Sequence, residues 1–180
     1  MRTKLLACTI LLLAHIAAQA RVTTVEGVQA ARQLLELEPM VPRFCGTSLA
    51  IAAAEARQGA DPLVSGLLAK ALQRPSLEHE FVSPTGHFRL HYDTTGRDAV
   101  ETTDDDDNGI PDYVDLAAAI ADSSWVLQID ILGYHVPPSD GDAGGGGEID
   151  IYIRDIGRSA NYGITYPISS GTSGPAYLVV

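Results

Sequence analysis

An α+β (mixed α/β) layer fold is what this chain of 180 residues predicts. Three observations carry that expectation. The hydrophobic period is close to 3.6 from Val22 to Leu72, and it changes to 2 from about Glu80. Between a strand pattern and the next helix pattern lies the acidic run DDDDNGIPDYVD, residues 104–115. Helices first and strands afterwards, with one helix set among the strands, describe layers packed on a sheet.

The elements follow in order. Thr24 to Leu37 predicts a helix, with Val25, Val28, Ala31 and Leu35 on one stripe. The alanine-rich stretch Ser48 to Gln58 predicts a second. Asp61-Pro62 is an N-cap and first-turn pair opening a third helix through Leu72, with Val64, Leu67, Leu68 and Ala71 as its apolar face. Pro75 closes this helical part.

In the run 87–92, Phe88, Leu90 and Tyr92 share one face of a strand, and His87, Arg89 and His91 share the other. After the acidic run, Asp112 leads into a helix with Leu116, Ile120, Leu127 and Ile131 on one side and Gly133 as its C-cap. A glycine-rich linker, 137–147, precedes a strand in which Ile149, Ile151 and Ile153 alternate with Asp150, Tyr152 and Arg154. Tyr162 to Tyr166 and Ala176 to Val180 predict two more strands.

The ends suggest export. Arg2 and Lys4, the apolar Leu5 to Ala17 and the small-x-small Ala18-Gln19-Ala20 form a signal peptide over 1–20, so the mature chain begins at Arg21. The apolar stretch is too short for a comfortable membrane span. Leu5-Leu6-Ala7-Cys8 has too few residues before it to serve as a lipoprotein site. Removal of the signal leaves 10 basic against 23 acidic residues, a formal charge of −13. Such a surface excludes nucleic acid and anionic membranes as natural partners and suits millimolar calcium outside the cell. Cys45 is then the one remaining cysteine, so no disulfide closes within these residues. The apolar run 177–180 has no turn or polar tail after it, which suggests a piece of a longer protein.

The acidic run has the spacing of an EF-hand-type calcium loop. Asp104 falls at position 1, Asp106 at 3, Asn108 at 5 and Gly109 at the position-6 turn. Ile110 offers its carbonyl at 7, Asp112 stands at 9 and Asp115 at 12. Ca²⁺ takes six to eight oxygens, and alternate residues of a tightly curled loop point inward. Asp105 and Asp107 fall on outward positions. A solvated acidic loop would not require oxygen donors at those five places around a glycine. Position 12 carries Asp rather than the longer bidentate Glu, which suggests the weak range of extracellular modules, about 10⁻⁴–10⁻³ M.

Other motifs fail. His79-Glu80 begins like H-E-x-x-H, but the second histidine would stand at Ser83. His87 and His91 lie about 13–14 Å apart along a strand, too far to share an ion, and are expected to be surface histidines. Gly144 to Gly147 before Glu148-Ile149-Asp150 lacks the register of a calcium β-roll and is expected to be a flexible linker. No nucleophile elbow, phosphate loop or dinucleotide fingerprint is present.

The stretch HFRLHYDTTGRDAVETTDDDDNGIPDYVD, then LGYHVPPSDG, EIDIYIRDIG and YGITYP, with Cys45-Gly46-Thr47 upstream, resembles a family of secreted bacterial zinc metalloproteases. The order of strand, calcium loop, helix and three strands is similar to that leading to the active-site helix of metzincin-like zincins. The resemblance implies a helical prosegment over 21–78 and a partial zincin-like domain over 79–180. It also implies an H-E-x-x-H helix beyond Val180, within about 60 residues. The Zn²⁺ ligands, the general-base Glu and the site for a peptide substrate would then lie outside this chain, which alone is expected to be inactive. Pro42-Arg43-Phe44-Cys45-Gly46 resembles the prosegment cysteine of latent matrixins. A buried helix-start thiol or half of a disulfide are the other readings of Cys45. Two further classes stay open: a non-catalytic calcium module of thrombospondin-like or dockerin-like type, and a structural extracellular domain in which calcium staples a loop to a helix.

Overall fold

The computed structural model describes residues 24–38, 45–157, 161–169 and 173–180. The signal peptide, the mature N-terminus and Pro42 to Phe44 lie outside the described residues. Helix α1 covers 24–34, α2 Thr47–Ala56 and α3 Pro62–Ala71. Strands β1 (His79–Val82) and β2 (Phe88–Tyr92) precede the long helix α4 (Asp112–Trp125), and β3 (Ile149–Tyr152), β4 (Ile164–Pro167) and β5 (Ala176–Val179) follow it. The five strands form one mixed sheet in the order β1-β2-β3-β5-β4. β2, β3 and β5 run parallel, and β1 and β4 are antiparallel on the two edges. The fold is α+β, as the change of period predicts, and its sheet mixes parallel and antiparallel strands.

Two apolar layers hold the sheet. On one face Leu90, Tyr92, Ile151 and Ile153 pack against Val114 and Ala118 of α4, with Phe88 and Ile110 partly buried beside them. On the other, Tyr152, Ile164, Tyr166, Tyr177 and Val179 pack with Ala50 of α2, and Leu34 and Leu72 close the layer. β3 therefore has no solvent face. Its alternation of isoleucine with polar residues separates two buried layers, which is why Asp150 is 1% exposed and Tyr152 2%.

The α-helical starts are legible at atomic detail. Asp61 Oδ1 accepts from Leu63 N at 3.0 Å and Val64 N at 3.1 Å, with Pro62 in the first turn. In α1 the buried side is Gly27, Ala30 and Ala31, while Val25 is exposed, so the expected stripe is rotated. The reason is contact with α2: a Cβ on Gly27 would land on that of Ala56 and 3.0 Å from the Ala52 carbonyl oxygen. Alanine in a helix interior ordinarily gains about 1 kcal/mol over glycine. Here the overlap with a neighbouring backbone reverses the sign. Gly27→Ala is expected to cost about 1–3 kcal/mol, read as a lower urea midpoint with unchanged slope.

Helix α4 differs from expectation in its face and in the geometry of its last turn. Its core side is Val114, Ala118 and Asp122. Leu116, Ile120, Leu127 and Ile131 do share a side, but it faces solvent, each more than half exposed. From Val126 to Ile131 the helix widens to π geometry, and Gly133, with φ +71°, ends it. The amides of Gly133 and Tyr134 return to the carbonyls of Ile129 and Gln128, so the glycine cap is in place. Asp122 is buried because it holds the β1–β2 turn: its carboxylate accepts from Ser83 Oγ at 2.7 Å, from Thr85 Oγ1 and from Thr85 N at 3.1 Å. Among the described residues no helix is long and apolar enough to cross a membrane.

Candidate metal centre

The acidic loop is a closed structure. Its base is fastened by Asp112 N donating to Thr103 O at 2.8 Å, and Asp112 and Asp115 stand in the first turn of α4. Carboxylates there suit the positive end of the helix dipole. Ile110 packs its side chain into the α4–β2 layer, tying the exit of the loop to the core. Gly109 has φ +86°, which a Cβ would resist, and Asp107 accepts φ +56° beside it.

Inside the loop the carboxylates are oriented by amides. Asp104 Oδ1 accepts from Asn108 N at 3.1 Å, and its Oδ2 from Gly109 N at 2.9 Å. Asp106 Oδ1 accepts from the same Asn108 N at 3.2 Å, and Asp112 Oδ1 from Asp105 N at 3.1 Å. One carboxylate oxygen from each of Asp104, Asp106 and Asp112 lies within 4.8 Å of the others. Among the described residues this is the one group of three histidine, cysteine or acidic side chains so gathered.

Asp115 joins through Asn108, whose Nδ2 donates to Asp115 Oδ2 at 2.8 Å and to Asp106 Oδ2 at 3.1 Å. Asn108 Oδ1 meanwhile accepts from Ile110 N at 2.7 Å. Ligation through that oxygen requires the carboxamide to turn over and release the Ile110 amide. Asp105 and Asp107 are exposed, as are Asp106 and Asn108, so exposure does not separate the outward from the inward positions. The donor set fits a hard cation: carboxylate oxygens with lone pairs left after their amide bonds. It does not by itself distinguish Ca²⁺ from another such ion.

The histidines and the glycine linker are placed differently from expectation. His87 stacks on Trp125 with ring centroids 3.9 Å apart, while His91 is buried and stacks on Tyr152 at 4.3 Å. The second sheet layer covers His91, so it is not a surface histidine. Its Nε2 lies 2.7 Å from Asp150 Oδ1. Asp150 Oδ2 is paired with Arg74, which also holds Asp140 and reaches Tyr152 Oη at 3.3 Å. Burial pushes the Asp150 carboxyl up, but the hydrogen bonds from His91 and Arg74 outweigh it and leave it below the usual carboxylate range. Nε2–H of His91 is therefore the donor. Gly144 sits against this carboxylate, in space a Cβ would fill, so this glycine of the linker is packed, while Gly141, Gly145 and Gly147 are exposed.

Cys45 stands just before α2, as one reading placed it, but exposed rather than buried. Its Sγ is 3.2 Å from Thr47 Oγ1, and that hydroxyl and then the Thr47 amide hold the thiol below its ordinary value. His79 and Glu80 lie in edge strand β1, where no H-E-x-x-H helix could form.

No protein-family model, curated protein or solved structure matches the chain. Of the six residues that the sequence reading named in the loop, the structure gathers the carboxylates of three, Asp104, Asp106 and Asp112. The Arg74–Asp140–Asp150–His91 network was missed, although an aspartate inside Ile-Asp-Ile-Tyr-Ile was a signal once both faces of β3 are known to be covered.

Proposed function

We propose that this is an exported calcium-binding unit in which Asp104, Asp106, Asn108, Asp112, Asp115 and the Ile110 carbonyl hold one Ca²⁺. The observation that carries the reading is the gathering of the Asp104, Asp106 and Asp112 carboxylates within 4.8 Å, each already aimed by a backbone amide or the Asn108 side chain. The ion neutralises carboxylates that otherwise repel one another and fastens the loop to the first turn of α4. Its chemistry here is structural.

The larger setting we propose is a secreted zinc metalloprotease, to which this chain contributes the calcium-fastened sheet and not the zinc site. The resemblance over 87–167 supports that setting, as does the order of elements from β2 through the loop and α4 to β3, β4 and β5.

Titration calorimetry at low ionic strength tests the calcium reading. One Ca²⁺ is expected to bind in the range of about 10⁻⁴–10⁻³ M. The double variant Asp104→Ala, Asp106→Ala is expected to bind none while keeping its circular dichroism. Absence of heat at millimolar calcium, or undiminished binding by the variant, would sink it.

A further inference from the structure

Helices α1–α3 lie within the 21–78 region that the resemblance reads as a prosegment, a part that leaves once it is cut. Their contacts with the sheet are those of a domain core. The buried side chains of Tyr152, Ile164, Tyr166, Tyr177 and Val179 meet Ala50 of α2, and Leu34 of α1 and Leu72 after α3 pack on the same cluster. Ala31, Ala53, Ala56, Leu68 and Ala71 bind the helices to one another, so they form one layer. Interfaces between separable units are more polar, whereas a domain closes two layers over one such cluster.

Polar bonds fix how that layer sits. β4 is an edge strand, and the residues leading into α2 lie along its free edge, with Cys45 bridged to Gly163. Gly46 N donates to Gly163 O at 3.1 Å, and Thr165 N donates to Thr47 Oγ1 at 2.9 Å. A Cβ on Gly46 would fall 2.7 Å from Ile164 Cγ1, so only glycine lets the backbone approach the strand this closely. At the other end of the layer Tyr177 Oη donates to Leu72 O at 3.1 Å, and Arg74 is paired with Asp140 and Asp150. Departure of the helices would open an edge strand to pairing with other chains. It would also put the rings of Tyr152, Tyr166 and Tyr177 in water and take the cation from Asp140 and Asp150.

We propose that α1–α3 are a permanent layer of the domain, retained after a cut between α3 and β1, and that Cys45 stays with them at the β4 edge. One consequence rests on the metalloprotease setting. A thiol fixed at that edge is not a zinc ligand that departs with a removed segment, and loss of the 21–78 region is not the activating event. The permanence of the layer itself needs neither zinc nor calcium.

The recognition sequence of a site-specific protease, inserted between exposed Ser76 and Leu77 of the full mature chain, allows the cut to be made at will. After complete cleavage the two pieces are expected to elute as one species in gel filtration at about 1 µM, which requires a Kd well below that value. Co-elution is expected with calcium and with chelator alike, so failure of the calcium reading would leave this result standing. In urea the pieces are expected to part in the same transition that abolishes the circular dichroism. Thr47→Val keeps the side-chain volume and removes the acceptor of the Thr165 amide, and is expected to raise the Kd of the cut protein about fivefold or more. A second insertion, made by itself in the exposed turn at Gly59, asks the same of α1 and α2 and decides the matter if the first insertion does not fold. Pieces that elute apart while the sheet-bearing one keeps its circular dichroism and cooperative unfolding would overturn the proposal. An unchanged Kd in Thr47→Val would overturn the anchoring of Cys45 at the β4 edge.

Discussion

Arg74→Met is expected to destabilise the fold by about 3–5 kcal/mol, the usual consequence of removing one partner from a buried ion pair. Arg74 is the single cation between two carboxylates that are almost fully buried, Asp140 and Asp150. Its guanidinium lies 4.7 Å from the centroid of the Tyr177 ring. Burial would pull its pKa down, yet the hydrogen bonds with Tyr152, Asp150 and Asp140 outweigh that and raise it above the ordinary arginine value. Methionine keeps most of the aliphatic volume and removes all the donors. Asp150 would keep only His91, and Asp140 would lose the one hydrogen bond it makes among the described residues, since its Oδ1 is buried without a partner.

Arg74, three residues beyond α3, ties that segment to Asp140 in the loop that leads into β3. Arg74→Met is therefore expected to loosen the glycine cover over Asp150 as well as to lower the urea midpoint. Amide exchange over 140–147 faster than in the parent protein would report that loosening. The triple variant Arg74→Met, Asp140→Asn, Asp150→Asn is expected to recover part of the loss, because no uncompensated charge remains. A loss below about 1 kcal/mol for Arg74→Met would mean that the cluster is effectively solvated and that the argument fails.

What the sequence made legible was whatever local chemistry decides. Asp61-Pro62 specifies a helix start without outside help, Gly133 an end, and the 104–115 spacing a closed loop. The alternation in 87–92 and 149–153 located the strands to within a residue. It could not say which face was solvated, because alternation separates two sides and does not reveal whether the second is covered. The second side of β2 and β3 is covered by α2 and the residues after α3, and so His91 is buried where a surface was expected, with Asp150 buried beside it. The apolar stripe of α4 failed for the converse reason. Leu116, Ile120, Leu127 and Ile131 have the spacing of a core face, yet small Ala118 lets the helix sit close to the sheet on its other side. A period identifies an apolar side, and only the packing decides which neighbour meets it.

Acid is expected to unfold the chain through its buried carboxylates. Asp150 and Asp122 both lie below the usual carboxylate range in the folded state. For Asp122, burial acts upward but is outweighed by the hydroxyls of Thr85 and Ser83 and the Thr85 amide. The unfolded chain offers these groups ordinary values near 3.9, so as pH falls it binds protons before the folded chain does. Stability therefore falls wherever the unfolded state holds more protons. The contribution of each carboxylate is fully present above about pH 5 and fades as pH drops through 3.9 toward the folded values. Urea midpoints measured from pH 6 down to pH 3 are expected to decline steadily over the lower half of that range. Asp122→Asn and Asp150→Asn should each lower the midpoint at pH 6 and flatten the acid decline, which separates the buried groups from the carboxylates of the loop. Parent stability that stays level to pH 3, or single variants whose decline is as steep as the parent's, would show that these two aspartates are not held ionised by the fold.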